Sequence, residues 1–531
     1  MAHHLHIQKT SVGIFVVVIV CLLNIAVAEW LNHGGDLCNT RSAREEKLIG
    51  PSTVQNLRLR WKFFAGKDIS ATPAVADEVV YFPSWNGYLY AVNTFDGSLN
   101  WKQNLSELTG LKGTGILTNV TVSRSTPTVA GKLLIVPIYG PAVVIAVNRS
   151  NGGLVWSTQL DPHPLALITT SGTAYLGAFY VGVSSIEEGL PAQQCCTFRG
   201  SMVKLNILSG AILWQTYTLP DNGGERGGYA GAAIWGSSPA IDLKRRLAYV
   251  ATGNLYTAPA EVEECQARQN NQTTPPTTPD QCIGPNVNFN SIIAFEMESG
   301  RIRWARRLGG YDVWYVACLV PNNPDCPTGP NIDADFGEAP MLITIFTNGT
   351  QRDIAVAVQK SGFAWALDRD SGDIIWLRLA GPGSVEGGGT WGAATDGKRI
   401  YTNIANGNRV NFTLAPSTRT TTAGAWVALD APSGEILWSM ANPSNETTPA
   451  PVSVANGVVF AGSVAPEGPV YAMDAKTGEI LWSYNSGATV YGGISISCGC
   501  IYHGNGYKAG LVSSLHPTWT GGTDLYALCV E

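Results

Sequence analysis

The segment "VALDAPSGEILW" (residues 427–438) decides the fold, because its pattern recurs along most of the chain. It places Asp430, Gly434 and Trp438 at intervals of four residues. Six further segments keep the glycine and the tryptophan at this spacing, and they end at Trp101, Trp156, Trp214, Trp304, Trp376 and Trp482. Such repetition indicates one architecture built from similar units rather than several unrelated domains.

Short apolar runs lie between these copies, for example "VVYFPS" (residues 79–84), "LLIVPIY" (133–139) and "GVVFAGS" (457–463). Their alternation predicts strands, and almost no segment has a helical period. The copies are about 40 to 90 residues apart, which suits four-stranded propeller blades with loop insertions. We expect the repeated glycine to form a turn with positive φ and the tryptophan to pack between blades.

The two ends of the chain supply an eighth blade. "NLRLRW" (residues 56–61) ends in Trp61 without the preceding part of the repeat, and "TDLYALCVE" (523–531) contains Ala527 without a following tryptophan. Pairing these ends would close the ring and remove its open edge. The prediction is an all-β, eight-bladed β-propeller that covers residues 29–531 as one unit.

The first 28 residues predict a secretory signal. "HIQKTSVGIFVVVIVCLLNIAVA" (residues 6–28) has one lysine, an apolar run and an Ala-Val-Ala ending, so cleavage is expected before Glu29. The alternative, a membrane anchor, is disfavoured because the run is shorter than about 20 residues. We therefore expect a secreted protein without stable membrane insertion.

Cysteines and glycosylation sequons agree with an oxidising, extracellular compartment. Ten of the eleven cysteines follow the signal, an even number. Seven Asn-x-Ser/Thr sequons predict a glycoprotein, at Asn104, Asn119, Asn148, Asn271, Asn348, Asn411 and Asn445. The net charge of −6, without a basic run, argues against nucleic acid and anionic membranes as partners.

Cys195 and Cys196 are direct neighbours. A bond between them closes almost no loop and would add little chain-entropy stabilisation. Either each cysteine bonds a distant partner, or the pair forms a rigid surface for a ligand. Position in the chain suggests three other pairs: Cys38 with Cys529, Cys265 with Cys282, and Cys318 with Cys326. The pairing of Cys498 and Cys500 is left undecided.

The repeat resembles the tryptophan-docking motif of the pyrroloquinoline quinone (PQQ) alcohol dehydrogenases, over nearly the whole mature chain. "EE" (residues 187–188), "CCTFRGS" (195–201) and "DADFGEAP" (333–340) are similar to segments of the polyvinyl alcohol dehydrogenase branch. The resemblance implies a quinone on the ring axis, between a vicinal disulfide and a tryptophan ring. Cys195 and Cys196 would then form the lid of the cofactor site.

The resemblance also implies the remaining quinone contacts. Trp235 would form the floor, Arg124 and Lys360 would bind carboxylates and carbonyls, and Ser184 would contact the ring system. Thr169 is expected to be a further contact, with Thr170 one position away as the alternative.

A metal site and a base are implied in the same way. The expected ligands of calcium or another hard cation are Glu187, Asn254 and Asp333, because all offer oxygen atoms. Glu188 is the alternative to Glu187. Asp333 would also be the catalytic base, with Asp312 as the alternative, and Asp335 would be an additional metal ligand.

Together these features predict a PQQ- and calcium-dependent oxidoreductase that oxidises primary or secondary alcohols, small or polymeric. The sequence has no Cys-x-x-Cys-His haem motif, so the electrons are expected to leave to an external acceptor. The alternative is a cofactor-free propeller that acts as an extracellular binding scaffold, because fold alone does not imply chemistry.

Overall fold

The structure is a computed structural model that describes residues 29–113, 118–269, 280–327, 329, 331–347, 349–509 and 512–531. The predicted signal, residues 1–28, and the sequons at Asn271 and Asn348 lie outside the described residues. Eight antiparallel sheets follow one another along the chain and form the blades of a propeller. The predicted fold class is confirmed.

The chain first forms β1 (Leu57–Phe64), which belongs to the last blade, and then builds the other blades in order. Blade 1 comprises β2 (Ala74–Ala76), β3 (Val79–Pro83), β4 (Tyr88–Asn93) and β5 (Leu99–Asn104). Blade 2 comprises β6 (Thr128–Ala130), β7 (Leu133–Ile138), β8 (Val143–Asn148) and β9 (Leu154–Gln159). Blade 3 comprises β10 (Ala166–Leu167), β11 (Thr173–Tyr175), β12 (Ala178–Ser185), β13 (Ser201–Asn206) and β14 (Ile212–Tyr217).

The remaining blades include two small side sheets, β15 (Ala230–Gly231) with β18 (Leu255–Thr257), and β27 (Phe412–Thr413) with β28 (Thr420–Thr421). Blade 4 comprises β16 (Ala240–Asp242), β17 (Leu247–Ala251), β19 (Ser291–Glu296) and β20 (Ile302–Arg307). Blade 5 comprises β21 (Met341–Thr347), β22 (Thr350–Val358), β23 (Phe363–Asp368) and β24 (Ile374–Leu379). Blade 6 comprises β25 (Ala394–Thr395), β26 (Arg399–Ile404), β29 (Ala425–Asp430) and β30 (Ile436–Ala441).

Blade 7 comprises β31 (Ser453–Ala455), β32 (Val458–Gly462), β33 (Pro469–Asp474) and β34 (Ile480–Asn485). Blade 8 combines β35 (Ser495–Ser497), β36 (Cys500–Gly504) and β37 (Asp524–Val530) with β1. The described α-helices are α1 (Leu105–Thr109), α2 (Ala260–Gln269) and α3 (Val512–Leu515), and short 3-10 helices span Val54–Asn56, Glu187–Gly189, Ala192–Gln194 and Val316–Leu319. None of these described helices is long and apolar enough to cross a bilayer.

The ring closes where β1 pairs antiparallel with β37, and Trp61 lies opposite Ala527 in the register. The two chain ends therefore share one sheet, as their incomplete repeats predicted. Leu57, Leu525 and Leu528 are buried in the core of this blade, and Leu525 and Leu528 point to opposite faces of β37, so this strand is covered on both sides.

The repeat tryptophans join each blade to the next. In seven of the eight, the indole N–H donates to a backbone carbonyl of the following blade at 2.9 to 3.1 Å: Trp61 to Thr94, Trp101 to Arg149, Trp156 to Ile207, Trp214 to Met297, Trp304 to Arg369, Trp376 to Ala431 and Trp438 to Ala475. The eighth, Trp482, faces blade 8, where the chain ends replace the hairpin turn. Its ring stacks beside Tyr484, with centroids 6.2 Å apart.

The repeat glycine lies directly against the docked ring. Gly434 has φ +71°, and a Cβ there would lie 2.5 Å from Cε3 of Trp376. The same contact recurs between Gly478 and Trp438, again with positive φ. Glycine is thus required both for the turn and for the close approach of the indole, as the sequence predicted.

A segment before β1, residues 30–46, contacts every blade, and we name it the N-terminal collar. Backbone hydrogen bonds or side-chain contacts join it, in ring order, to blades 1 to 8: Trp30 to Val75, Leu31 to Val129, Asn32 to Thr173, Leu37 to Ile241, Cys38 to Leu342, Thr40 to Thr395, Ala43 to Val454 and Glu46 to Gly499. In blades 1, 2 and 4 to 7 these partners lie on the first strand of the blade, and in blade 3 the partner Thr173 lies on β11, which follows the short β10. Arg41 of the collar is fully buried and donates to the Val452 carbonyl at 2.7 Å.

The disulfides follow the sequence prediction except at the ring closure. Cys195 bonds Cys196, and the bonds Cys265–Cys282 and Cys318–Cys326 close loop insertions. The expected bond between Cys38 and Cys529 is wrong. Cys529 lies opposite Cys500 between β37 and β36 and bonds it, whereas the Cys38 carbonyl is held by Leu342 on blade 5. Cys38 and Cys498 are free thiols.

Replacing Gly434 with alanine tests the docking contact. We expect Gly434→Ala to lower the free energy of unfolding by about 2 to 5 kcal/mol, from the left-handed φ together with overpacking against Trp376. Urea unfolding followed by circular dichroism measures the loss. Gly397→Ala is the matched control, because Gly397 has φ +85° but nothing within 4 Å of its Cβ position. Equal losses for both variants would contradict the docking role of Gly434.

Non-reducing peptide mapping tests the disulfides. The peptide that contains Cys529 should be linked to that of Cys500, and the peptide that contains Cys195 and Cys196 should be two hydrogens lighter and unlinked. Alkylation before reduction should label Cys38 and Cys498 in the unfolded protein. A peptide that links Cys38 to Cys529 would contradict the closure described here.

Candidate functional site

A cavity of about 250 Å³ lies among segments of blades 2 to 6. Most of its lining comes from two kinds of loop: the one that precedes the first strand of a blade, and the one that follows the second strand. Both kinds reach the ring axis in a propeller. The described lining residues are Arg124, Tyr139, Leu167, Thr169, Ser184, Ser185, Ile186, Glu188, Ala233, Trp235, Gly253, Asn254, Tyr256, Trp314, Asp333, Asp335, Lys360, Val385 and Trp391.

The cavity brings together eight of the residues that the sequence singled out, although they are up to 236 positions apart. These are Arg124, Thr169, Ser184, Trp235, Asn254, Asp333, Asp335 and Lys360. They converge because equivalent loops of successive blades point at the same axis.

Lys360 connects the two aspartates of the cavity. Its Nζ lies 2.9 Å from Asp333 Oδ1 and 3.7 Å from Asp335 Oδ2. The other oxygen of Asp333, Oδ2, is buried and has no hydrogen-bond partner among the described residues. Burial raises the pKa of Asp333 well above its usual range, since the opposing effect of Lys360 is smaller. Burial lowers the pKa of Lys360, but Asp333 and Asp335 reverse this effect and leave its pKa raised.

Trp235 is fixed on several sides. Its indole N–H donates to Asp335 Oδ2 at 2.8 Å, and Lys360 Nζ lies 5.2 Å from its ring centroid. The ring of Trp391 meets it edge-on at 5.0 Å, and Gly337 leaves no room for a Cβ beside it. The indole therefore presents a rigid aromatic surface to the cavity.

The amide of Asn254 is oriented by its own hydrogen bonds. Its Nδ2 donates to the carbonyls of Leu255 and Trp314, both at 2.8 Å. The Oδ1 atom is left without a hydrogen-bond donor among the described residues, in a side chain that lines the cavity. An amide oxygen held in this way can bind a cation.

Asp335 is already used by the protein. In addition to the Trp235 indole, its carboxylate accepts the backbone N–H of Asn254 at 2.5 Å. Asp335 therefore holds the loop of Asn254 and the indole together, and its oxygens are less available to a metal than those of Asp333.

The structure places the two glutamates in different surroundings. The Glu187 carboxylate lies outside the lining, where it accepts the N–H groups of Thr197 and Phe198 at 2.8 Å. These bonds and that of His163 outweigh burial and lower the pKa of Glu187. Glu188 lines the cavity instead, and burial, aided by Asp335, raises its pKa to about 7.

The vicinal disulfide supports the wall of the cavity. Cys195 and Cys196 are buried in a cluster with Ala233 and Tyr256, which both line the cavity. Neither cysteine belongs to the described lining itself. Glu187 holds the turn directly after the disulfide, so the two features form one rigid segment.

Arg124 is a cation without a counter-ion. Its guanidinium lies 4.6 Å from the ring centroid of Trp391 and 5.9 Å from that of Tyr139. No carboxylate among the described residues lies within ion-pair distance of it. Because an unpaired charge away from water is costly, this arrangement favours an anionic ligand in the cavity.

Asp312, the alternative base, is fully buried and does not line the cavity. Thr170, the alternative to Thr169, is also absent from the described lining. Within the described part of the chain, no group of three or more His, Cys, Asp or Glu residues is arranged to hold a metal. A cation here would need the amide oxygen of Asn254 as well as carboxylates.

The sequence reasoning missed Tyr139, Tyr256 and Trp391. Blade equivalence could have indicated two of them. Trp391 precedes the first strand of blade 6 much as Trp235 precedes that of blade 4, and Tyr139 follows β7 as Lys360 follows β22. Tyr256 lies on a side sheet with no equivalent, so no repeat signal marks it.

The sequence profile of the PQQ_2 family, described as "Outer membrane protein assembly factor BamB", matches residues 54–306 and 360–497. The unmatched stretch between them includes the Cys318–Cys326 insertion, Asp333 and Asp335. The match therefore covers the repeats on both sides of the candidate base, but not the base itself.

Two curated relatives are polyvinyl alcohol dehydrogenases. That of Pseudomonas sp. is 29% identical over 391 residues, or 71% of this chain and 55% of the relative. That of Sphingopyxis sp. (strain 113P3) is 27% identical over 476 residues, or 82% and 64%. The chain thus spans less than two thirds of the length of either.

The crystal structure of quinohemoprotein alcohol dehydrogenase from Comamonas testosteroni superimposes with a TM-score of 0.71. Its sequence identity is 19%, and the match covers 96% of this chain and 82% of the other. At this identity the likeness establishes the propeller fold alone.

Removing the cation between the two aspartates tests the electrostatics of the site. Lys360→Gln should lower the free energy of unfolding by about 3 to 5 kcal/mol at pH 8, because it leaves buried carboxylates uncompensated. The loss should be smaller at pH 5, because burial raises the pKa of Asp333 and its carboxylate then takes up a proton more readily. Urea unfolding at the two pH values measures this difference.

Two controls bracket this prediction. Lys398→Gln, at an exposed lysine, should change neither value. Adding Asp333→Asn to Lys360→Gln should recover part of the stability at pH 8, because one uncompensated charge disappears. A loss that does not depend on pH would contradict the ion-pair description.

Proposed function

This chain belongs to the PQQ_2 family, and on that premise we propose that it is a PQQ- and calcium-dependent oxidoreductase of primary or secondary alcohols. One observation carries the proposal: the same cavity is lined by Asp333, whose buried Oδ2 has no hydrogen-bond partner among the described residues, by the unpaired cation Arg124 and by the aromatic ring of Trp235. This combination suits a flat, anionic cofactor together with a proton acceptor.

The residues present fit the quinone. Arg124 and Lys360 would pair with its carboxylates and carbonyls, and the Trp235 ring would lie against its plane. Thr169 and Ser184, whose hydroxyls lie 3.1 Å apart, would add hydrogen bonds. The Cys195–Cys196 disulfide would form or support the opposite wall.

The residues also fit a hard cation. Asp333 Oδ2, Asn254 Oδ1 and the Glu188 carboxylate are oxygen donors that line one cavity, which suits calcium. We propose Glu188 in the place expected for Glu187, and Asp335 as an additional ligand. When bound, the quinone supplies a carbonyl that accepts hydride, and the cation polarises that carbonyl.

The chain itself handles the proton. Because Lys360 holds Oδ1 of Asp333, Oδ2 would both contact the cation and take the hydroxyl proton of the alcohol. A carboxyl pKa raised by burial makes Asp333 a stronger base than an exposed aspartate once it is ionised. Activity should therefore increase with pH as Asp333 loses its own proton.

The setting of the reaction follows from the sequence. The predicted signal and the sequons support a secreted glycoprotein, and the absence of a haem motif supports an external electron acceptor. The polyvinyl alcohol dehydrogenases among its relatives support a polymeric alcohol as one substrate class, beside small alcohols.

The second candidate is a cofactor-free binding scaffold. The description of the family as an outer-membrane assembly factor favours it, because the propeller alone does not require a quinone. Titrating the purified protein with PQQ in the presence of calcium, followed by a dye-reduction assay with alcohols, distinguishes the two. If the purified protein does not bind PQQ, the scaffold function is the one supported.

Asp333→Asn tests the base. The substitution keeps the shape of the side chain but cannot accept the proton, so turnover should fall by about 100-fold or more while PQQ still binds. Tryptophan fluorescence measures binding, and dye reduction measures turnover. Full turnover in a PQQ-loaded preparation of this variant would exclude Asp333 as the base.

Paired glutamate variants test the cation site. Glu188→Gln should weaken calcium binding, and added calcium should partly restore activity, because the variant removes one anionic ligand. Glu187→Gln should instead lower the thermal midpoint with little change in the calcium requirement, because Glu187 holds backbone N–H groups. Isothermal titration with calcium provides the measurement. If Glu187→Gln weakens calcium binding and Glu188→Gln does not, Glu187 is the calcium ligand.

A further inference from the structure

Asp312 lies directly behind the turn that carries Asp333. Its Oδ1 accepts the backbone N–H of Asp333 at 3.2 Å, and its Oδ2 accepts that of Ala334 at 2.7 Å. Asn290 Nδ2 donates to the same Oδ2 at 2.9 Å. Asp312 is 0% exposed, so these three donors replace the water that its carboxylate has lost.

The turn needs such support. Asp333 has φ +54°, in the left-handed region that costs a side chain other than glycine about 1 to 2 kcal/mol. A strained residue of this kind persists only where its surroundings hold it. Asp312 supplies two hydrogen bonds to the backbone of the turn at this point.

The main chain around Asp312 also holds the neighbouring wall. The Asp312 carbonyl accepts the N–H of Leu255 at 3.2 Å, and Trp314 N–H donates to the Leu255 carbonyl at 2.9 Å. The Trp314 carbonyl in turn accepts the amide of Asn254 at 2.8 Å. Residues 312–314 therefore fix both Asp333 and Asn254.

We propose that Asp312 is a positioning residue: it holds the Asp333 carboxylate against Lys360 with its second oxygen toward the cavity, and it takes no proton in the reaction. The catalytic part of this inference rests on the proposed function of Asp333. The positioning part concerns the ion pair of Asp333 and Lys360, which exists without any cofactor.

Asp312→Asn is the decisive variant. It keeps the shape of the side chain, but its NH₂ group replaces one acceptor oxygen. Two donors, this NH₂ group and a backbone N–H of the turn, then face each other without a hydrogen bond. Asp280→Asn is the matched control, because the Asp280 carboxylate also accepts two backbone N–H groups and one side-chain amide, in the insertion closed by Cys265 and Cys282. Asp280 does not line the cavity.

The first readout needs no cofactor. Lys360→Gln should lower the thermal midpoint by less than half as much in the Asp312→Asn background as in the wild type, because Asp333 is then no longer held against Lys360. In the Asp280→Asn background the effect of Lys360→Gln should be unchanged. Additive effects in both backgrounds would overturn the proposal, whatever the protein binds.

The second readout uses the PQQ- and calcium-loaded protein. For Asp312→Asn we expect PQQ affinity within about threefold of the wild type and a kcat roughly 10- to 100-fold lower, the scale of a displaced reactive group. Asp280→Asn should keep kcat. An unchanged kcat in Asp312→Asn would overturn the catalytic part, and a wild type that binds no PQQ would overturn the proposed function while leaving the first readout decisive.

Asn290→Gly provides a second route if Asp312→Asn yields little folded protein. It removes one donor to Asp312 without touching the turn, and glycine tolerates the φ of +43° at this position. The same reduction of the Lys360→Gln effect is expected, to a smaller degree. No reduction would count against Asp312 as the support of the ion pair.

Discussion

The contact between an indole ring and the glycine of the next repeat is the constraint on which this structure depends. Each docked tryptophan fills the wedge between two blades and donates its N–H to a turn carbonyl, so it fixes the distance and the tilt of the neighbouring sheet at once. The glycine of that turn has no Cβ, so the ring can lie directly against it. With seven such contacts and one strand pair, the blades close on themselves.

The site is a consequence of that closure. Loops at equivalent positions of blades 2 to 6 meet at the axis, so residues with no local relation become neighbours. Asp333 and Asn254 illustrate this: they come from different loops, and residues 312–314 tie the loops together behind them. Lys360 arrives from the next blade to neutralise Asp333. The cavity is thus held by the same ring that creates it, and its charges are placed by backbone hydrogen bonds more than by flexible side chains.

The fold could be predicted from the sequence because its rule is local and repeated, and Trp61 with Ala527 revealed even the closure. The site was predicted less completely, for reasons that are physical. Glu187 and Glu188 differ by one position, and only the N–H groups of Thr197 and Phe198 show which carboxylate is already occupied. Cys38 and Cys529 are near the ends of the chain, but the collar takes Cys38 to blade 5. The wrong disulfide and the choice between the two glutamates both depend on three-dimensional neighbours that spacing does not encode.

The N-terminal collar limits how such a protein can evolve. Propellers change size when a repeat is duplicated or lost, and the similarity of the repeats does not by itself fix the number of blades. Here residues 30–46 make hydrogen bonds to the eight blades in a set order, from Trp30 at blade 1 to Glu46 at blade 8, six through backbone groups and two through the side chains of Asn32 and Glu46. A ring with seven units would leave part of that series without its counterpart, and a ring with nine would leave one blade without a contact from the collar. The collar therefore matches a ring of eight blades, and a change in the number of repeats would require a matching change in the collar.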